Sequence, residues 1–188
     1  MQGEPDMEKT IYCLGDSNTF GYDPRSPWGE PYGRPWCSIL AEGIPCRVCN
    51  DGINGRRILD VCRSYDFLAE SIKKQQPDLL ILLLGSNDIL MEDLPDPGCI
   101  ADRMEHLLQM LTEDFPHLRL FLLSPPGIRI PGPWRDAAAA LSGYYESLAH
   151  RYGAGFLNLA GLPLSCDGVH LTEKGHDLLA RMLLASLN

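Results

Sequence analysis

Short apolar runs alternate with stretches of helical periodicity along almost the whole chain, and this alternation narrows the fold more than any other feature. Thr10–Leu14 reads as a first strand and Pro45–Cys49 as a second. Asp78–Leu84 is a continuous apolar run bounded by turn residues, the mark of a strand covered on both faces. Leu118–Leu123 is a fourth strand, ended by Ser124-Pro125-Pro126-Gly127, and Gly155–Leu159 is a short fifth. Between them, Trp36–Ala41 reads as a short helix. Ile58, Cys62, Tyr65, Ala69 and Ile72 recur at helical spacing, which predicts one helix over Arg57–Gln75. Ile100, Met104, Leu107, Leu108 and Leu111 form a further stripe, as do Leu141, Tyr144, Tyr145, Leu148 and Ala149. Thr172 is expected to cap a last helix carrying Leu178, Leu179, Met182 and Leu183 on one face.

Strands alternating with helices build a parallel sheet covered on both faces, and right-handed crossovers leave few strand orders. The expected fold class is therefore α/β, a flavodoxin-like three-layer sandwich with a five-stranded parallel sheet. With 188 residues and no linker or repeat, one domain over 1–188 is expected, long enough for a full core. The net charge of −9 argues against nucleic acid or an anionic membrane as a partner. The longest apolar run, Leu79 to Leu84, is too short to cross a bilayer, and the polar opening MQGEPDMEKT carries no apolar h-region. Seven cysteines, scattered mainly among apolar residues, fit reduced buried thiols rather than a disulfide framework. A cytoplasmic protein is the expectation.

The polar residues that carry chemistry follow the strands. Ser17, in Gly15-Asp16-Ser17-Asn18, follows the first; Gly55 follows the second; Asn87, in Gly85-Ser86-Asn87-Asp88, follows the third; Asp167 and His170 follow the fifth. The carboxyl edge of an open parallel sheet is where ligands bind. These residue types suit acyl transfer. A serine hydroxyl needs a base, His170, to take its proton, and the imidazole needs an orienting carboxylate, Asp167. The Ser17 and Gly55 N–H groups and the Asn87 amide are the expected oxyanion donors, with Gly52 the competitor of Gly55. Taken singly, Ser17, Asn87 and Asp88 read as turn and cap residues, and Asp88 is assigned only that role. The ordered set reverses the balance.

These blocks resemble the SGNH (GDSL-type) hydrolases: Gly15-Asp16-Ser17, the Gly55 segment, Gly85-Ser86-Asn87-Asp88 and Asp167-x-x-His170 stand in that family's order and spacing. Within it, the chain is most similar to the arylesterase and acyltransferase branch, through Gly15 to Tyr22, Arg34-Pro35-Trp36, Ser124-Pro125-Pro126 and Pro133-Trp134. The resemblance implies a flavodoxin-like fold, the roles just given to Ser17, Gly55, Asn87, Asp167 and His170, and no metal or organic cofactor. It also implies a serine esterase hydrolysing or transferring acyl groups of small-molecule esters, and the lack of room for a lid domain or of a long apolar insertion favours short-chain acyl groups, acetyl to butyryl. The alternatives are a carbohydrate O-acetylesterase, or a lysophospholipase or thioesterase, with the same site. One departure stands beside the nucleophile: the block reads Asp-Ser-Asn, not the commoner Asp-Ser-Leu or Asp-Ser-Ile, which makes polar Asn18 a candidate substrate contact.

Trp28, Tyr32, Trp36 and Trp134 sit in or beside loops at the catalytic edge. Trp134 and part of the Gly21–Pro35 loop are expected to wall the acyl or alcohol pocket. The alternative for this loop is a homo-oligomer interface. His106, His117, His150 and His176 are expected to face solvent, and Arg56-Arg57 to be a surface pair at a helix start. Cys46-x-x-Cys49 has no second pair for a zinc site. Metal-dependent phosphoester hydrolysis through Asp16, Asn87, Asp88 and His170, and a non-enzymatic binding module, are the competing classes.

Overall fold

The computed structural model describes residues 9–187. Five parallel strands, β1 (Thr10–Gly15), β2 (Arg47–Gly52), β3 (Leu79–Leu83), β4 (Arg119–Leu123) and β5 (Gly155–Leu157), stand in the order β2-β1-β3-β4-β5. This is the flavodoxin-like order expected from the alternation. Successive side chains of β1 and β3 point to opposite faces, and both faces are buried, so the strands read as unbroken apolar runs. Tyr12, Leu14, Leu80 and Leu82 pack on one face under α3 (Ile58–Arg63), α4 (Tyr65–Gln75), α6 (Pro97–Asp114) and α7 (Pro133–Arg151). Ile11, Cys13, Leu79, Ile81 and Leu83 pack on the other under α2 (Trp36–Gly43) and α8 (Glu173–Leu187).

Several elements differ from the periodicity. The predicted helix over Arg57–Gln75 is two, broken at Ser64, whose backbone leaves helical angles while its hydroxyl donates to Asp60 O at 2.6 Å. The stripe runs through the break because Ile58, Val61, Leu68 and Ile72 bury in the same core. β2 starts and ends later than Pro45–Cys49, since Asn50-Asp51-Gly52 continues the ladder to Gly15↔Gly52 instead of turning. Two short helices were not anticipated: α1 (Ser17–Phe20) and α5 (Ser86–Leu90), each the first turn after a strand. Among the described residues, no helix is long and apolar enough to cross a membrane.

Candidate active site

The nucleophile candidate owes its place to the turn that precedes it. Asp16 caps α1, its Oδ1 accepting from Asn18 N at 2.9 Å, and this leaves Ser17 as the first helical residue directly beyond β1. Asp16 is fully buried, and burial pushes its carboxyl up to about 7.

The base candidate arrives on the loop that leads into α8. Asp167 shapes this loop with one oxygen and addresses the imidazole with the other. Its Oδ1 accepts from Val169 N at 3.0 Å and His170 N at 3.1 Å, and its Oδ2 lies 2.5 Å from His170 Nδ1. That dual use explains the three-residue spacing. Partial burial works to raise the Asp167 carboxyl, but the bonds from His170 and the two backbone N–H groups outweigh it and hold it below the usual carboxylate range. On the far side of the ring, His170 Nε2 lies 2.8 Å from Ser17 Oγ. The Tyr22 ring stands against the imidazole, centroids 4.7 Å apart. Ser165 N donates to His170 O at 2.7 Å, and the Arg129 guanidinium donates to Ser165 O at 2.6 Å, so a side chain from beyond β4 steadies the loop.

The oxyanion candidates converge from two further strands. Asn87 Nδ2 donates to Arg56 O at 3.1 Å, beside Gly55, while its neighbour Asp88 accepts from Ile58 N at 2.9 Å. Consecutive residues of α5 thus pin the same turn. Burial raises the Asp88 carboxyl, although Ile58 N–H and the Arg103 guanidinium, 3.5 Å away, act against that. Gly55 has φ +78°, and its N–H meets no protein acceptor among the described residues. Gly52 serves a different purpose: a Cβ there would lie 2.0 Å from Phe20 N, so only glycine lets β2 pass under α1. Behind the Gly55 turn lies a cavity of about 500 Å³, in whose wall Tyr12, Asp51 and Arg56 appear but Ser17 does not. Those three side chains bond one another, Tyr12 Oη to Asp51 at 2.9 Å and Arg56 to Asp51 at 3.0 Å.

Several expectations need correction. Asn18 is no substrate contact: it is fully buried, and its Oδ1 accepts from Leu171 N at 2.9 Å. Arg56 is no surface residue, since its guanidinium donates to Gly15 O and Asp51 O, fastening the Gly55 turn to the ends of β1 and β2. His176 does not face solvent. It is fully buried beside Tyr32, and burial lowers it to about 4. Tyr32 and Trp36 are buried too, so they cannot face an open pocket, whereas Trp28 is exposed. Trp134 lies half-buried at the start of α7, its Nε1 donating to Glu92 O at 3.0 Å just beyond α5. Sequence reasoning missed Tyr22, Arg56 and Arg129 as supports. Tyr22 lies in the Gly15–Tyr22 block and Arg56 beside Gly55, but no local pattern marks either arginine as a support. Among the described residues, no three His, Cys, Asp or Glu side chains gather as a metal site.

The GDSL-like Lipase/Acylhydrolase family matches the chain over residues 13–178. A GDSL lipase of Mycobacterium tuberculosis is 26% identical over 185 residues, covering 90% of this chain and 78% of its own. Among solved structures, a carbohydrate acetylesterase family member from Sinorhizobium meliloti superposes with a TM-score of 0.80 at 25% identity, over 95% of this chain and 97% of that one. The aryl esterase of M. smegmatis gives 0.80 at 23% identity, over 95% and 98%, a likeness of fold.

Proposed function

Starting from a chain that belongs to the GDSL-like lipase/acylhydrolase family and is a carboxylic ester hydrolase, we propose that it cleaves short-chain acyl esters through an acyl-enzyme on Ser17. The observation that supports this most is the line Asp167 Oδ2, His170, Ser17 Oγ, with contacts of 2.5 and 2.8 Å, the second of which joins residues far apart in sequence. In this reading His170 Nε2 takes the Ser17 proton as Oγ bonds to the ester carbonyl carbon. The carbonyl oxygen gains the negative charge and is received by the N–H groups of Ser17 and Gly55 and by Asn87 Nδ2. Collapse of the tetrahedral species breaks the bond to the alcohol, which leaves with the proton held on His170. Water, or an acceptor alcohol, then gives its proton to His170 as it attacks the acyl carbon, and collapse of the second tetrahedral species returns that proton to Ser17 Oγ and releases the acid or the new ester. Asp167, kept ionised by its hydrogen bonds, fixes the tautomer and balances the imidazolium.

Trp134 is proposed to wall the acyl or alcohol pocket, and a Trp134→Ala variant with unchanged kinetics on several esters would remove it. Acetyl to butyryl groups are the proposed acyl range; rates rising steadily out to palmitoyl esters would overturn that. A sugar acetate as substrate is favoured by the name of the Sinorhizobium relative, and a panel of acetylated sugars against aryl acetates decides between sugar and aryl alcohols.

The deciding experiment is p-nitrophenyl acetate hydrolysis by wild type and Ser17→Ala, with and without a fluorophosphonate. Loss of hydrolysis in the variant, fluorophosphonate label on Ser17 and insensitivity to EDTA are expected. Equal rates in the two proteins and no label would sink the serine mechanism.

A further inference from the structure

We propose that Asn18 is a positioning residue: its side chain holds the His170 loop against the Ser17 helix, and so sets the contact between nucleophile and base. This inference rests on the roles proposed above for Ser17 and His170.

Two consecutive residues of α1 bond two consecutive residues of the loop. Ser17 Oγ lies 2.8 Å from His170 Nε2, and Asn18 Oδ1 accepts from Leu171 N at 2.9 Å. Between Asp16–Tyr22 and Ser165–Thr172 these are the only hydrogen bonds among the described residues. The rest of the loop's bonding either fixes its own shape, through Asp167 to the His170 and Val169 N–H groups, Ser165 N to His170 O and the Leu164–Leu171 bridge, or ties it to Arg129 beyond β4 and not to the Ser17 helix. None of these sets how far the imidazole stands from Ser17. The first bond must break and reform as the proton moves, so it cannot also hold the frame. The second can.

Asn18 is itself held rigidly. It is fully buried, its backbone N–H donates to Asp16, and its carbonyl accepts from Trp36 Nε1 at 3.1 Å. Its Nδ2 has no partner, so burying the amide carries a cost that an apolar residue would avoid. The bond to Leu171 N, an otherwise orphaned buried donor, is the return on that cost. Chemistry of this kind tolerates little slack: a misplacement of about 1 Å can cost about 10²-fold in rate.

The test is Asn18→Leu, which keeps the branched shape but has no acceptor. The readouts are kcat and KM on p-nitrophenyl acetate and the rate of fluorophosphonate labelling at Ser17. We expect kcat and labelling to fall about 10- to 100-fold with KM within about twofold. A merely structural role is separated by repeating the substitution in His170→Ala. With no imidazole to place, Asn18→Leu should change the residual labelling rate less than about twofold. Equal losses in both backgrounds, or a wild-type kcat in Asn18→Leu, overturn the proposal. If Asn18→Leu does not fold, replacing Leu171 by its α-hydroxy analogue deletes the same bond from the other side. The same fall in kcat is then expected, and an unchanged kcat overturns the proposal. Wild-type protein that takes no label at Ser17 would instead sink the serine reading on which this one rests.

Discussion

A single side chain in this site commonly serves two purposes, and the clearest case that remains testable is Asn87. Its Nδ2 donates to Arg56 O at 3.1 Å, which uses one amide hydrogen to locate the Gly55 turn. The second hydrogen is the one that the proposed mechanism assigns to the developing oxyanion. Asn87→Ala should therefore lower kcat on p-nitrophenyl acetate by about 10²- to 10³-fold, the usual loss for one oxyanion donor, with KM little changed. A kcat within a few-fold of wild type would take Asn87 out of the hole and leave it a turn-holding residue. Asp167 shows the same economy. One oxygen folds the loop and the other orients His170, so the spacing of these two residues in the sequence already contained the geometry.

Elements place these residues, and the two glycines at the end of β2 and just beyond it separate placement from chemistry. A Cβ at Gly52 would meet Phe20 N at 2.0 Å and Phe20 Cα at 2.5 Å, so Gly52→Ala must lift α1, and Ser17 with it, off the sheet. The expected cost is about 3 kcal/mol or more, the upper range for overpacking, together with loss of activity. At Gly55 a Cβ meets nothing within 4 Å, and only the positive φ of +78° opposes it. Gly55→Ala should cost about 1 kcal/mol, a fall in Tm of about 2–4 °C for a chain of this size. Thermal melts of the two variants check this, and equal shifts would overturn the distinction. The same contrast shows what was legible in the sequence. β1, β3 and β4 stand out because burial on both faces leaves a continuous apolar signal. β2 is an edge strand, and its end, Asn50-Asp51-Gly52, looks like a turn because its polar side chains work locally: Asn50 Nδ2 reaches Thr19 O at 2.9 Å. The break at Ser64 was invisible because the residues on either side of it bury in the same core. The triad candidates were legible through the order of short motifs. The partners that hold them were not, since Asn18 to Leu171 and Arg56 to Gly15 are long-range contacts with no local pattern.

Across the whole molecule, two buried titratable groups flank the Ser17–His170 contact and respond to pH with opposite sign. Burial lowers His176 from 6.5 to about 4, because its ring is shut between Tyr32 and Trp36, with Nδ1 3.4 Å from Trp36 N and Nε2 unpartnered. Above about pH 6.5 the ring is neutral in folded and unfolded chains alike, and no stability is lost. As pH falls from 6.5 to about 4, only the unfolded chain takes up the proton, and the fold loses on the order of 3 kcal/mol. Asp16 behaves in reverse. Burial raises it from 3.8 to about 7, so its contribution is intact below about pH 3.8 and is lost as pH rises towards 7, on the order of 4 kcal/mol. Relative to wild type, His176→Gln should therefore gain stability progressively as the solution is acidified from pH 6.5 to 4. Asp16→Asn, which keeps the oxygen that caps α1, should gain it as pH is raised from 4 to 7. Urea denaturation of the three proteins at several pH values over this range measures both slopes. Differences of opposite sign would establish that the two groups are held in their neutral forms on either side of the site. Variant curves running parallel to wild type would mean that water or a rearranged side chain solvates them. Asp88, whose carboxyl burial also raises, is then the next buried group to substitute.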